Sequence, residues 1–218
     1  MEIFISIDGV IRNTIQKFDY HYNEAYLAED VVFEEDNKFE YGVVEPVQNN
    51  AIMDSYKFQS KEEFEFFLFM EYPIEIFGHA GLSYSTTFTD LHKMIFLNPE
   101  HEFTLIGLDE LGKSKPATLF FLSKNGFLGN NVKFAKSDDI DSLWEKCDVW
   151  ITDNENVLNH CPDNKIGIKF KTTYNQYFTY KKEITKLTEI EEPWLTFLEN
   201  PTSLISTQSQ TNAGQETT

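Results

Sequence analysis

The stretch Glu2-Ile-Phe-Ile-Ser-Ile-Asp-Gly-Val-Ile-Arg-Asn-Thr14 decides the fold that this sequence predicts. Its first half is a short apolar run rich in β-branched side chains, formed by Ile3, Phe4, Ile5 and Ile7. A run like this, bounded by Asp8-Gly9, is typical of a strand that is buried on both faces of a parallel sheet. Ligands of open α/β sheets bind outside the carboxyl ends of the strands. Ser6 and Asp8 therefore lie where a functional site is expected.

The composition of the whole chain is that of an acidic globular protein. Its 218 residues are 41% hydrophobic and 15% aromatic, which is enough for one domain with a substantial core. Acidic residues number 36 against 18 basic ones, and the formal net charge is −18. A surface of this charge repels nucleic-acid phosphates, so we expect no nucleic-acid partner. It also repels phosphorylated substrates, unless a metal ion or a local group of basic residues offsets the field.

Neither a membrane anchor nor a secretion signal is predicted. The first residues do not resemble a signal peptide, and no apolar run approaches the roughly 20 residues that span a bilayer. The two cysteines, Cys147 and Cys161, lack the spacing of metal ligands, and free thiols fit a reducing compartment. The sequence therefore predicts a cytoplasmic protein without a membrane partner.

Further apolar runs predict the remainder of a parallel sheet. These four runs cover residues 103–107, 132–134, 149–153 and 165–170. Capping residues and apolar periodicity predict helices over 60–72 and 86–97, before these runs, and over 115–124, between the first two of them. Residues 15–60 instead alternate aromatic, acidic and polar groups, which is typical of hairpin strands and loops. We therefore predict an α/β fold with a Rossmann-like, five-stranded parallel sheet.

The end of the chain differs in composition from the rest. Residues 200–218 are rich in Ser, Thr, Gln and Asn and carry a single charged residue, Glu216. A segment of this kind cannot bury enough apolar area to offset the entropy lost on ordering. The sequence predicts a folded domain over 1–199 and a polar, disordered tail over 200–218.

The opening stretch resembles the first motif of the haloacid dehalogenase-like (HAD-like) superfamily, most of whose members are Mg-dependent phosphohydrolases. That motif reads Asp-x-Asp-Gly, in which the first Asp is the nucleophile and the second is the general acid/base. In this chain Ser6 stands at the nucleophile position and Asp8 at the acid/base position. The resemblance covers residues 2–175 in the right order. It also implies a flap or cap inserted after the first strand, for which 13–60 is the candidate segment.

The other motifs of the family have weaker counterparts. The strand predicted at 103–107 ends in Gly107, where the family has a Ser or Thr that holds the phosphoryl group. Gly107 would offer that phosphate only its backbone N–H. Lys113 and Lys115 match the family lysine that stabilises the phosphorylated intermediate, and the alternative for each is a solvated turn lysine.

A magnesium site is the next feature that the resemblance implies. The strand at 149–153 resembles the fourth motif, whose acids complete the site together with the acid/base Asp. Asp153 matches best and would join Asp8, with Asn154 and Glu155 as secondary oxygen donors. Mg²⁺ takes near-octahedral oxygen ligation from one or two carboxylates, a substrate and waters. Mg²⁺ is therefore the cofactor that the resemblance implies.

Arg12 is the only arginine in the chain. As a functional residue it would contact a phosphate beside Asp8. The alternative is a residue without a role, left by the base composition of an AT-rich genome. The residues from Asp153 to Asn175 are similar in order to those of small phage-encoded HAD-like proteins, which would place the protein in a host cytoplasm or a virion.

The departures from the family motifs predict a loss of phosphatase turnover. A Ser hydroxyl is a poor nucleophile at neutral pH without a positioned base. The phosphoserine that it would form is far more stable than an acyl phosphate. We predict a catalytically degenerate HAD-like protein with a binding or structural role, as in a phage assembly, whose partner is a protein or a phosphorylated small molecule. The alternatives are an active Mg²⁺-dependent phosphatase or 5′-nucleotidase that uses Asp8 and Asp153, and an unrelated α/β binding protein.

Overall fold

The fold was analysed in a computed structural model, which describes residues 1–34, 37–44, 47, 52–129 and 131–190. Its centre is a six-stranded sheet in which every strand runs parallel to its neighbours. The strands of this sheet are β1 (Glu2–Ser6), β4 (Glu102–Leu108), β5 (Val132–Ala135), β6 (Val149–Thr152), β7 (Ile166–Phe170) and β8 (Glu183–Ile184). Their order across the sheet is β5-β4-β1-β6-β7-β8. A separate antiparallel pair joins β2 (Arg12–Asn13) to β3 (Gly81–Leu82).

The predicted α/β class and the parallel Rossmann-like sheet are confirmed, but the predicted number of strands is wrong. The sixth strand, β8, consists of two residues that pair with the end of β7, Lys169 with Glu183 and Phe170 with Ile184. Two residues are too few to show the alternation by which a strand is recognised in a sequence. Strand β8 therefore forms because it pairs with β7, and its own sequence does not predict it.

Helices and helical turns connect the strands. The α-helices are α1 (Ile15–Tyr22), α2 (Ile52–Ser55), α3 (Lys61–Phe66), α4 (Thr87–Leu97), α5 (Lys115–Lys124), α6 (Ile140–Trp144) and α7 (Glu155–Asn159). Wider, π-helical turns cover Asn23–Leu27, Phe67–Glu71 and Ile74–Gly78, and 3₁₀ turns cover Ser137–Asp139 and Leu187–Glu189. Among the described residues no helix is both long enough and apolar enough to cross a membrane.

Strand β1 lies at the centre of the sheet because both of its faces are apolar. Ile3 and Ile5 belong to the larger core cluster, together with side chains of α4 and α5. Phe4 faces the other way and packs edge-on against Trp150, with ring centroids 5.6 Å apart. The prediction of a strand buried on both faces is thus confirmed, because successive side chains of β1 pack into the cores on opposite sides of the sheet.

The segment between β2 and β3 spans residues 14–80 and carries a core of its own. That core is mainly aromatic and is completed by Ala117 of α5. Its residues from the segment are Phe18, Tyr22, Tyr56, Phe58, Phe67, Leu68, Ile76 and Phe77. The prediction of hairpin strands across 15–60 is wrong at its start, where Ile15–Tyr22 form α1. Aromatic residues at positions 18 and 22 are one helical turn apart, so the same pattern also fits a helix face. The ladder between β2 and β3 holds the two ends of this insertion side by side.

The predicted tail at 200–218, and the end of the domain predicted at 199, lie outside the described residues.

Candidate functional site at the carboxyl ends of β1 and β6

A small cavity of about 190 Å³ lies at the carboxyl ends of β1, β4 and β6. Its polar lining comes from strand ends and the loops that follow them, and consists of Ser6, Asp8, Thr14, Asp153, Asn154 and Tyr174. Its apolar lining comes mostly from the insertion, and consists of Ile15, Ile52, Leu68, Phe69, Phe77, Ile106 and Leu108. We name this space the strand-end cavity. The structure thus brings together four of the residues that the sequence proposed for a site: Ser6, Asp8, Asp153 and Asn154.

The carboxylate of Asp8 is held by Arg12 on both of its oxygens. Arg12 Nε lies 2.7 Å from Asp8 Oδ1, and Nη2 lies 3.0 Å from Oδ2. Such bidentate pairs are among the strongest charge-assisted hydrogen bonds in proteins. The Asp8 side chain is 37% exposed, whereas that of Arg12 is 1% exposed. The negative charge of Asp8 is therefore balanced from inside the protein.

Arg12 also ties the end of β1 to two other elements. Its Nη1 donates to the Phe77 carbonyl at 3.0 Å and to Thr118 Oγ1 at 2.9 Å. The guanidinium carbon lies 5.0 Å from the centre of the Phe77 ring. Four of its five N–H donors make hydrogen bonds to protein groups. These bonds give Arg12 a structural role at the end of β1, and the geometry gives no support to a phosphate contact.

The Ser6 hydroxyl is buried and bonded to the neighbouring strand. It donates to Thr152 Oγ1 at 2.8 Å and accepts from Trp150 Nε1 at 3.1 Å. Thr152 Oγ1 in turn accepts from the backbone N–H of Asn154. Among the described residues no hydrogen bond joins Ser6 to Asp8. The Ser6 proton thus points to another hydroxyl and not to a base.

Asp153 lies against the turn that follows β1. Gly9 has a φ of +77°, and a Cβ built there would lie 2.0 Å from Asp153 Cγ. Tyr174 Oη donates to Asp153 Oδ2 at 2.6 Å. Burial raises the pKa of Asp153 to about 7; the nearby charge of Asp8 also raises it, and the hydrogen bond from Tyr174 lowers it. The turn requires a glycine, because the carboxylate fills the space that a side chain would need.

Asn154 and Glu155 lie at the start of α7 and make local hydrogen bonds there. The Asn154 side-chain oxygen accepts from the backbone N–H of Asn156 at 2.9 Å and of Val157 at 3.3 Å, which is an N-cap. Glu155 accepts a hydrogen bond from Tyr177 Oη at 2.6 Å and does not line the cavity. These two oxygen donors are therefore committed to local structure.

The residues present do not fit a magnesium site of the kind the resemblance implies. Mg²⁺ takes ligands whose oxygens point at one centre. Here Arg12 holds both oxygens of Asp8, and residue 6, where the resemblance would require a carboxylate, is a serine. Within the described part of the chain, no three His, Cys, Asp or Glu side chains converge in a way that could hold a metal ion.

The remaining predicted residues lie outside the cavity. Gly107 is buried, and a Cβ there would lie 3.0 Å from the Phe134 ring. Lys113 is exposed, with its Nζ 3.2 Å from Met70 Sδ. Lys115 is also exposed, and its Nζ lies 5.5 Å from the centre of the Phe134 ring. The structure does not bring either lysine to Asp8, which agrees with the alternative of solvated lysines.

No motif assigned a role to two residues of the site, Tyr174 and Asn175, which close the series that begins at Asp153. Tyr174 holds the Asp153 carboxylate, and the Asn175 side chain donates to the carbonyls of Asp153 at 3.1 Å and Phe170 at 2.8 Å. Asn175 thereby bridges the ends of β6 and β7. Their one signal in the sequence is position, because both follow the carboxyl end of a strand, where polar side chains often serve a site.

Neither the models of protein families nor the curated proteins include a match to this chain. A fold shared with many proteins does not fix a function, so the function has to be argued from the site itself. The cavity can enclose a small molecule between acidic side chains and an apolar surface. Of its described lining residues, Ser6 directs its hydroxyl proton to Thr152 Oγ1 and not to a base.

Proposed function

We propose that this chain is a HAD-like protein that binds a small ligand in the strand-end cavity and has lost phosphoryl transfer. Two features support the family proposal. Asp8 and Asp153 follow neighbouring parallel strands and line one cavity, as the motifs imply. The insertion after the first strand lines the same cavity, which is where a cap would lie.

The hydrogen bonds of Ser6 carry the proposal that turnover is lost. A nucleophilic hydroxyl needs a base that accepts its proton as it attacks. Ser6 donates instead to Thr152 Oγ1, and the Trp150 indole occupies its acceptor side. Neither neighbour can take up a proton at neutral pH. The hydroxyl therefore acts as a structural link between β1 and β6.

The charges at the site also disfavour a phosphate. A metal ion or positive groups that face the ligand favour phosphate binding, because they offset its charge. The lysines proposed for that role lie elsewhere, and Arg12 is bonded to Asp8 and to protein oxygens. A cavity lined by Asp8 and Asp153 suits a neutral or cationic ligand better. Its volume of about 190 Å³ limits that ligand to a few heavy atoms.

A phosphatase assay tests the loss of turnover. The substrates are a panel of 5′-nucleotides and a chromogenic phosphate ester, each with Mg²⁺ and with a chelator, and Asp8→Asn is the control. We expect the wild type to release phosphate no faster than Asp8→Asn or the chelated sample. Mg²⁺-dependent release that Asp8→Asn abolishes would contradict the proposal and favour the active phosphatase.

Two causes of inactivity are proposed: position 6 lacks a nucleophilic carboxylate, and Arg12 holds Asp8. The variant Ser6→Asp separates them. Trp150 Nε1–H and the Thr152 hydroxyl can both donate to a carboxylate at position 6, so the substitution can be accommodated. We expect no turnover, because the pair of Asp8 with Arg12 still withholds the acid/base group. Turnover in Ser6→Asp would show that the loss rests on residue 6 alone.

A further inference from the structure

The basic residues of this acidic chain are concentrated in one segment. Residues 165–186 hold six of the 18 basic residues and one of the 36 acidic residues. The segment contains β7 and β8 and the loop between them. Two of its lysines, Lys169 and Lys171, line a groove of about 640 Å³ at the carboxyl end of β7. We name this space the β7–β8 groove.

The groove has a mixed polar and apolar lining. Its volume is within the size range of small-molecule sites, which is about 300–1,000 Å³. Its charged lining residues are Lys169, Lys171 and Glu183, so the lining carries one net positive charge. The other lining residues are neutral, and hydroxyl and amide side chains predominate among them: Asn13, Ser83, Thr172, Thr173, Tyr174, Gln176, Thr179 and Thr185. In a protein of net charge −18, a positive groove is a local exception that attracts anions.

Lys169 is built into the wall of the groove. It is 1% exposed, donates to the Phe178 carbonyl and to Glu183 Oε1, and lies 4.0 Å from the centre of the Phe178 ring. A lysine is rarely buried to this extent unless it is paired. Its hydrogen bonds fix the loop after β7 against β8. The shape of the groove is therefore held by an ion pair and does not depend on a ligand.

Lys171 is the lysine that a ligand can reach. Its side chain is 47% exposed, and its Nζ lies 3.5 Å from Glu183 Oε2. An ion pair at this distance and exposure contributes little, so an anion can compete for the ammonium. Near it lie Thr173, Gln176 and Thr179, which are exposed and whose side chains make no hydrogen bond among the described residues. They are available to the polar part of a ligand.

The groove is distinct from the strand-end cavity. Tyr174 lines both spaces, and its hydroxyl is bonded to Asp153 on the cavity side. Gly9, which lies against Asp153, lines the groove. The tyrosine ring and the turn after β1 thus form the wall between the two spaces. The cavity carries carboxylates, whereas the groove carries lysines.

We infer that the β7–β8 groove binds a small phosphorylated polyol, of the sugar-phosphate class. The exposed ammonium of Lys171 receives the phosphate, and the hydroxyl and amide side chains receive the hydroxyl groups. A single net charge and a bounded groove suit one phosphate on a small molecule better than a nucleic acid, which needs an extended basic track. This inference does not depend on the loss of turnover in the strand-end cavity.

Titration calorimetry with three probes tests the ligand class. The probes are ribose 5-phosphate, ribose and inorganic phosphate, at one fixed ionic strength. We expect ribose 5-phosphate to bind at least tenfold more tightly than either of the others. Equal affinity for inorganic phosphate would overturn the assignment of a polyol, and no binding of ribose 5-phosphate at millimolar concentration would overturn the site.

Variants at exposed lysines test the location. Lys171→Glu should weaken ribose 5-phosphate binding at least tenfold and Lys171→Gln about three- to tenfold, whereas Lys181→Gln should change it less than twofold. Lys181 is exposed on the same segment and does not line the groove. In NMR titrations the amide resonances of 171–179 should shift more than those around Asp8. Unchanged affinity in Lys171→Glu, or shifts centred on Asp8, would overturn the inference.

Discussion

At the scale of single residues, Arg12 is the side chain on which the site depends most. Replacing it by Met keeps an unbranched apolar chain beside the Phe77 ring but removes four hydrogen bonds. Removing one partner of a buried ion pair costs about 3–5 kcal/mol, and the 37% exposure of Asp8 favours the lower end. We expect Arg12→Met to lower the free energy of unfolding by about 3 kcal/mol in urea titrations.

The matched control for Arg12 is Thr118→Val, which removes one of the four bonds. A single neutral hydrogen bond contributes about 1 kcal/mol. The free energies of unfolding of the two variants should therefore differ by about 2 kcal/mol. A cost for Arg12→Met no larger than that for Thr118→Val would show that the guanidinium does not hold these elements together.

Gly9 offers a second test at the residue scale. Gly9→Ala adds a Cβ that would lie 2.0 Å from Asp153 Cγ, at a φ of +77°. Gly112→Ala is the control, because Gly112 has a φ of +66° and no atom within 4 Å of the added Cβ. Overpacking costs about 1–3 kcal/mol, so Gly9→Ala should be less stable than Gly112→Ala by that amount.

The second step of this test is a double variant. Asp153→Ala removes the carboxylate that the new methyl group would meet, so Gly9→Ala should cost less in that background. The free energies of unfolding of the four proteins give the coupling. Additive effects would contradict the close contact between the turn and the carboxylate.

Asp153 should make stability depend on pH. Burial raises its pKa to about 7, above the value of about 4 in the unfolded chain, so the folded protein binds the proton more tightly. This contribution to stability is fully present below about pH 4 and is lost as the pH rises through about 7. The slope in that window is up to about 1.4 kcal/mol per pH unit.

The measurement is the free energy of unfolding at pH 5 and at pH 8. The wild type should lose about 2–3 kcal/mol more across this interval than Asp153→Asn, which does not titrate. Asp138→Asn changes an exposed acid and should behave as the wild type. The same pH dependence in Asp153→Asn and in the wild type would show that Asp153 ionises normally.

The sequence predicted some of the residues that meet at the site. Ser6, Asp8 and Asp153 follow apolar runs, and the rule on strand ends places them together. The sequence did not predict the contacts made by Arg12, Thr118 and Tyr174, because these depend on how distant segments pack. Thr118 is 106 positions from Arg12, and no spacing rule reaches that far.

At the scale of elements, the start of α3 tests how a local pattern fixes a helix. Ser60 Oγ accepts from the Glu63 backbone N–H at 3.1 Å, as its place before the apolar run predicted. Ser60→Ala should cost about 1 kcal/mol in free energy of unfolding. Ser123→Ala, an exposed serine near the end of α5, should cost less than about 0.5 kcal/mol. Equal costs would show that the cap does not stabilise α3.

Elements with a strong local signal were predicted well, and those without one were not. Helix α5 has the predicted bounds, because Pro116 suits its first turn and Asn125-Gly126 follows its end. Residues 15–22 were predicted as strand and form a helix, since short aromatic alternation fits both periods. Strand β8 gave no signal, because pairing with β7 creates it.

At the scale of the whole molecule, the fold separates two kinds of chemistry. The strand-end cavity joins acidic residues to an apolar surface from the insertion. The β7–β8 groove holds lysines and hydroxyl groups, on the far side of Tyr174. The parallel sheet brings both to the same edge, since the carboxyl ends of its strands all lie there. The net charge of −18, taken alone, gives no sign of this separation.

The central claim is that the strand-end cavity no longer transfers phosphoryl groups. The most direct measurement is phosphate release by the wild type from 5′-nucleotides and a chromogenic phosphate ester in Mg²⁺, beside Asp8→Asn and a chelated sample. We expect equal release in all three, because Ser6 donates its proton to Thr152 and not to a base, and Arg12 holds Asp8. Mg²⁺-dependent release by the wild type that is lost in Asp8→Asn would contradict it.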